Sequence, residues 1–338
     1  MKTLLTLLFI SASFMVIAQT SDSAQFYFKQ AQEYKLEKRY LIASKSFEKA
    51  IQLDPSNINF LMENGFVNLE MRKTDAAISN FTKIYQLQPG NKVAIKQLMD
   101  LYYNYRQYNK AIEFGGKCVD CDGAQRIIGM SLYQQEDYAK AQKYLLAAIS
   151  KDPQDKDATY TMARTFLDME EYKKAVPYYE KAVSLDKNNY TRMYELGLLY
   201  FNLSDYKSAV TSFTEAAARG YVVNNDYKEN LGYAKLYTGD YDNGEQLLMS
   251  VWEKKPGNKD LLRDMSEVLY QQKQYERSLV YCQRLMQLDA NDAKALYQAG
   301  LNFQKKGNTD RGQQMCDKAI TMDPSLASLR QEKKMPGM

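Results

Sequence analysis

Cys118 and Cys121 form a Cys-x-x-Cys pair, the tightest grouping of reactive side chains in this sequence. Two thiols at this spacing can cycle as a redox couple, close a structural disulfide or stay as free thiols, and all three readings stay open. Thioredoxin-like chemistry needs a strand before the pair and a helix starting at it, and the flanking residues predict neither. A disulfide here would close a very small loop, so its contribution to stability would be modest.

The chain contains no histidine. That absence removes Ser-His-Asp and Cys-His nucleophilic catalysis, histidine-ligated zinc and c-type haem attachment from consideration. Catalysis by carboxylates, lysine or tyrosine remains conceivable. No P-loop, dinucleotide fingerprint or calcium loop occurs, and the nearest approach, Asp120, Asp122 and Gly123, offers two carboxylates, too few to hold a metal. The residues therefore predict no metal, no cofactor and no enzyme activity. A formal net charge of +4 at pH 7, with no basic stripe carrying interleaved aromatics, points away from nucleic acid.

The elements that position these residues repeat. Aligned on their loops, the prolines or their replacements fall at Pro55, Pro89, Gly123, Pro153, Lys187, Tyr221, Pro256, Ala290 and Pro324, with a usual spacing of 34 residues. A period of this size marks a solenoid, in which each supersecondary unit buries its apolar face only by stacking on its neighbours. At 338 residues the length alone would suggest two globular domains, but the unbroken period favours a single elongated array. Within 24–57, Tyr27, Ala31 and Tyr34 recur at helical spacing, as do Tyr40, Ala43, Phe47 and Ala50, with Glu37, Lys38 and Arg39 between them. Two amphipathic helices, A and B, joined by a tight turn are predicted, and Pro55 starts the connection to the next pair.

With an aromatic, then Gly or Ala, then Tyr, Ala, Phe, Ala and Pro at fixed offsets, the chain resembles the tetratricopeptide repeat family. The small residue of helix A is Ala31, Gly65, Gly129, Ala163, Gly197, Gly232 and Gly300; the turn tyrosine is Tyr40, Tyr108, Tyr138, Tyr172, Tyr206, Tyr241 and Tyr275. The resemblance implies an all-α, right-handed α-solenoid of nine repeats at 24–57, 58–91, 92–121, 122–155, 156–189, 190–224, 225–258, 259–292 and 293–326. A lead-in at 19–23 precedes them, and a cap and tail at 327–338 follows. The third repeat is about four residues short, so its helix B should end a turn early. Gly244, Ser278 and Gly312 replace the helix B alanine, which is expected to weaken those helices by up to about 1 kcal/mol for each glycine. Pro177 should kink helix B of the fifth repeat. Cys282 and Cys316 occupy equivalent places on helices about 10 Å apart, beyond the roughly 7 Å limit for a bridge, so buried free thiols are expected.

In such solenoids the A helices line a concave groove. The matching places here are Phe28, Met62, Phe66, Lys96, Tyr103, Arg126, Met130, Tyr133, Tyr160, Arg164, Tyr194, Phe201, Tyr233, Arg263, Tyr270 and Tyr297, accompanied by Asp100, Glu229 and Glu267. Aromatic and Met side chains with a few arginines have the composition of a binding hot spot. Each of these places could equally be core packing against the next repeat. The family's carboxylate clamp for acidic chaperone tails is not present, because Phe28, Gln32, Met62 and Phe66 stand in its places; Lys96, Arg126 and Arg164 form the nearest basic substitute.

Residues 1–18 read as a secretory leader, with Lys2 before the apolar run Leu4–Ile17 and a cut ahead of Gln19. The run is short of the roughly 20 residues that a membrane span needs, so no span is expected after cleavage. The sequence thus predicts an exported, periplasmic or secreted scaffold that binds a peptide or partner protein in its groove; its alternative is a glycan-binding module of the cell envelope. No oligomeric state follows from the residues.

Overall fold

The structure is a computed structural model that describes residues 22–332, with side chains up to 329. The expected leader 1–18, residues 333–338 and the Arg330 and Glu332 side chains lie outside the described residues. Contacts divide the chain into two compact units, Met1–Glu170 and Glu171–Met338. The first contains α1 (22–36), α2 (Tyr40–Leu53), α3 (Ile58–Glu70), α4 (Thr74–Leu87), α5 (Lys92–Asn104), α6 (Tyr108–Lys117), α7 (Ala124–Gln134), α8 (Tyr138–Lys151) and α9 (Lys156–Asp168). The second contains α10 (Tyr172–Leu185), α11 (Tyr190–Asn202), α12 (Tyr206–Ala218), α13 (Asn225–Thr238), α14 (Tyr241–Trp252), α15 (Lys259–Gln271), α16 (Tyr275–Leu288), α17 (Ala293–Lys305), α18 (Thr309–Met322) and α19 (Ala327–Glu332). Among the described residues there is no strand, and the fold is an α-solenoid of consecutively packed helix pairs. Odd-numbered helices to α17 are A helices and even-numbered ones to α18 are B helices.

Local chemistry sets the helix ends. The side chains of Asn57, Asn91, Asp155, Asn189, Asn224, Asn258 and Asp292 accept backbone N–H groups in the first turn of the A helices they precede. Each such cap stabilises its helix by about 1 kcal/mol. The A-to-B turns place Lys38, Arg72, Arg106, Glu136, Glu170, Ser204, Gly239, Lys273 and Gly307 at positive φ, with seven of the nine not glycine. Left-handed backbone at these residues lets the next N–H reach back to the A helix, as Arg39 does to the Tyr34 carbonyl (2.9 Å) and Lys73 to that of Asn68 (2.8 Å).

Packing within a pair matches small residues against large ones. A Cβ added to Gly65 would lie 2.8 Å from the Phe81 ring, one on Gly129 2.8 Å from Leu145, and one on Gly197 2.6 Å from Phe213. The helix B core triplets Ala43, Phe47, Ala50 and Ala209, Phe213, Ala216 are fully buried, as their period of three to four residues requires. Where helix B carries glycine instead of alanine, the backbones themselves meet. A Cβ on Gly244 would lie 2.9 Å from the Gly232 carbonyl oxygen, and one on Gly312 would lie 2.5 Å from that of Gly300. The expectation that these glycines simply weaken their helices is therefore corrected: they permit a closer approach that alanine would obstruct.

Ser278 joins a buried polar cluster. Its hydroxyl donates to the Ser266 carbonyl (2.7 Å), lies 3.1 Å from the Ser266 hydroxyl and accepts from Asn302 (2.9 Å). Cys282 beside it and Cys316 are buried free thiols, and burial pushes the Cys282 thiol up to about 11. Helix α6 has 10 residues against 14 in α4 and α8, so it does end a turn early. Cys118 and Cys121, immediately after it, are joined by a disulfide. Helix α10 runs unbroken from Tyr172 to Leu185 through Pro177, and the Lys173 carbonyl that loses its donor belongs to an exposed residue. Leu326, just before α19, is buried with Tyr297, Cys316 and Ala319.

Candidate binding surface

Successive A helices pack directly on one another, α5 with α7 and α7 with α9 in the first unit, and α11 with α13, α15 and α17 in turn in the second. Their outward side chains therefore form a continuous face within each unit. In the first unit Met62 and Phe66 on α3, Lys96 and Tyr103 on α5, Arg126, Met130 and Tyr133 on α7, and Tyr160 and Arg164 on α9 are all half-buried on this face. In the second, Phe201 on α11, Tyr233 on α13, and Arg263 and Tyr270 on α15 are half-buried likewise.

Phe28, Tyr194 and Tyr297 do not line that face. They are 3%, 8% and 5% exposed and belong to the cores. Phe28 packs between Phe47 (5.6 Å between ring centres) and Phe60 (4.7 Å). Tyr194 packs on Phe213 (5.3 Å) and stacks on Tyr221 (4.2 Å), while its hydroxyl accepts from Asn230 (2.8 Å). Tyr297 packs beside Cys316, whose thiol donates to the Tyr297 carbonyl (3.7 Å). All three hold the fifth place of their repeats, which borders the A–B seam. Turning into that seam buries these three rings, while Tyr160 at the same place stays half-buried on the face and Lys96, Arg126 and Arg263 there meet Asp100, Asp155 and Asp292.

The twelfth place behaves differently. Tyr103 packs on Tyr108 (5.9 Å), Tyr133 on Tyr138 (6.0 Å), Phe201 on Tyr206 (5.3 Å) and Tyr270 on Tyr275 (5.6 Å). Each pair joins the end of helix A to the turn tyrosine, and both of its rings are half-buried. The Tyr133 hydroxyl also donates to Asp168 on α9 at 2.6 Å. Burial first, then that carboxylate, raises the Tyr133 phenol well above its ordinary value.

The cations on this face already have acidic neighbours. Lys96 pairs with Asp100 (2.8 Å), Arg126 lies 3.6 Å from Asp155, and Arg164 lies 3.9 Å from Asp168 and 3.5 Å from the Tyr160 hydroxyl. Asp155 also caps α9. The expected free basic patch of Lys96, Arg126 and Arg164 is accordingly a set of internal ion pairs. Sequence reasoning missed Asp155 as the partner of Arg126 and Asp168 as that of Tyr133 because each comes from the next repeat, and it passed over Asp168 one turn after Arg164 on the same helix. No helix among the described residues is long and apolar enough to cross a membrane.

Comparison with known proteins bears on these helices directly. Residues 24–57 and 293–326, residues 128–190, 160–221 and 194–256, and residues 235–301 match three sequence models, each described as Tetratricopeptide repeat. No curated protein matches the sequence. Among solved structures the chain is similar to YrrB, described as a TPR protein with an unusual peptide-binding site, at 24% identity over 56% of this chain and 98% of that one (TM-score 0.41). It is also similar to a tetratricopeptide repeat protein from Parabacteroides merdae, at 15% identity over 79% and 93% (TM-score 0.37). A third is Pseudomonas aeruginosa pilF, at 18% identity over 74% and 99% (TM-score 0.36).

Proposed function

This chain belongs to the tetratricopeptide repeat family, and on that premise we propose that it is a non-enzymatic protein-interaction scaffold whose A-helix faces bind an extended segment of a partner protein. The observation that carries this reading is the row of half-buried aromatic and Met side chains on successive A helices, Phe66, Tyr103, Met130, Tyr133 and Tyr160 in the first unit. Such side chains keep an exposed apolar edge on a rigid support. A partner side chain buried against them gains the hydrophobic term with little loss of conformational freedom on the scaffold. Arg126, whose charge Asp155 already balances, orients the segment by its further N–H donors and favours backbone carbonyls over a free carboxylate.

The scaffold acts outside the cytoplasm in this reading, exported by the leader at residues 1–18. Fractionation of producing cells tests that part: the chain beginning at Gln19 in the exported fraction supports it, and an intact Met1 in the cytoplasm overturns it. The binding claim is tested by Tyr133→Ala with Tyr160→Ala, leaving the core residue Tyr194 untouched. A folded double variant that has lost partner pull-down supports the claim; undiminished capture overturns it. Selection of glycans in place of peptides on paired arrays would favour a carbohydrate module instead.

A further inference from the structure

The face of the second unit differs in charge from that of the first. Glu229 on α13 and Asp264 and Glu267 on α15 stand on two A helices that pack on one another, with Asp264 and Glu267 one helical turn apart. None of the three forms an ion pair among the described residues. The nearby cations are engaged elsewhere: Arg263 with Asp260 (2.9 Å) and Asp292 (3.0 Å), Lys235 with Asp240 (2.6 Å), and Lys259 with Asp289 (2.9 Å). Lys255 acts on Glu229 across space only. Burial first, then Asp226, raises the Glu229 carboxyl, and burial, then Asp260 and Glu267, raises that of Asp264.

Two further features adjoin these carboxylates. The first is aromatic: Tyr237 stacks flat on Tyr206 (4.1 Å, 9°), and the Tyr233 hydroxyl is buried without a hydrogen-bond partner among the described residues. At the far end of the face a cavity of about 300 Å³ opens between Glu267, Tyr270, Gln298, Leu301 and Leu329. Its lining mixes apolar Leu301 and Leu329 with the polar ends of Glu267, Gln271 and Gln298, a composition that suits a single side chain.

We propose that this face takes a basic polypeptide segment, with lysine or arginine side chains over Glu229, Asp264 and Glu267 against the tyrosine rings, and an apolar side chain in the cavity beside Tyr270 and Leu329. This rests on the scaffold reading above and names the chemistry of its partner. A cation brought to three unpaired carboxylates removes their mutual repulsion, and the ring faces add a further attraction for it.

The test is fluorescence anisotropy on the full chain with two labelled decapeptides of equal apolar content, one carrying four lysines and the other four glutamates. The lysine peptide should bind and the glutamate peptide should not, and binding should weaken as salt rises from about 50 to about 300 mM. In the triple variant Glu229→Gln, Asp264→Asn, Glu267→Gln, with helical circular dichroism unchanged, affinity for the lysine peptide should fall at least about tenfold, and Tyr270→Ala should lower it separately. A control triple of exposed residues outside the face, Glu136→Gln, Glu170→Gln, Glu253→Gln, should bind as the parent does. Equal losses in both triples, or no loss in the first, would overturn the assignment. Preference for the glutamate peptide would overturn it too while leaving the scaffold reading standing, whereas the loss of all capture at Tyr133 and Tyr160 bears on that reading alone.

Discussion

The Tyr133 hydroxyl on α7 donates to the Asp168 carboxylate at the end of α9, 2.6 Å away. One bond thus ties two A helices together at the surface proposed to bind a partner, and it spans a full repeat. A half-exposed hydrogen bond to a charged acceptor contributes on the order of 1 kcal/mol. A double-mutant cycle of Tyr133→Phe and Asp168→Ala, read by urea unfolding, is predicted to give a coupling of about that size. Strictly additive effects would show that the bond contributes nothing to stability.

Burial also gives the protein an alkaline limit. The phenols of Tyr133, Tyr200, Tyr233 and Tyr281 are all raised above their ordinary value of 10.0, in each case first by burial. A raised acid favours the protonated group in the fold, so this stability is complete below pH 10 and is lost as the pH climbs beyond it. The melting temperature should hold up to about pH 9 and fall as the pH rises beyond about 10, and phenolate absorbance should appear later in the folded chain than in urea. Coincident titration curves in the two states would contradict this.

Glycine should behave in opposite ways at two kinds of place. Gly312→Ala puts a Cβ 2.5 Å from the Gly300 carbonyl oxygen and 2.6 Å from Gln304. Overpacking of this kind costs roughly 1–3 kcal/mol, which exceeds the helix-propensity gain of up to about 1 kcal/mol. Gly116 on α6 has nothing within 4 Å of its Cβ position, so Gly116→Ala should stabilise by up to about 1 kcal/mol. Thermal melts of the two variants moving in the same direction would be inconsistent with this packing.

The Cys118–Cys121 bridge should matter little to the whole. Closing a loop this short removes only about 2 kcal/mol of unfolded-state entropy in the chain-entropy treatment. Cys118→Ser with Cys121→Ser should leave the helical content intact and lower the urea midpoint slightly. Loss of the fold in that variant would mean that the junction after α6 depends on the cross-link.

Much of the fold is readable from residue types because the same steric problem recurs in each repeat. A small residue at Gly65 or Gly197 faces a large one at Phe81 or Phe213, and that pairing specifies where helix A meets helix B. The early end of α6 is legible as missing residues. The surface is less legible. Helical register places Phe28, Tyr194 and Tyr297 with Lys96 and Arg126, yet the rings turn inward while the charged chains stay out, a choice set by the neighbouring seam and not by spacing. Nor does sequence distance show that Asp155 meets Arg126, or that Asp264 joins Glu229, because such pairs form between repeats. The glycines at Gly244 and Gly312 mislead for a related reason: propensity describes an isolated helix, and here the partner helix decides.

The most direct measurement is site-specific photo-crosslinking, with a benzophenone side chain placed at Tyr133 or at Tyr160 on the A-helix face, or at exposed Leu146 on α8. Illumination with a peptide selected from a random display library on the full chain should yield a one-to-one adduct from the first two positions and none from Leu146. Adducts forming at Leu146 alone would place recognition on the B helices and contradict the account.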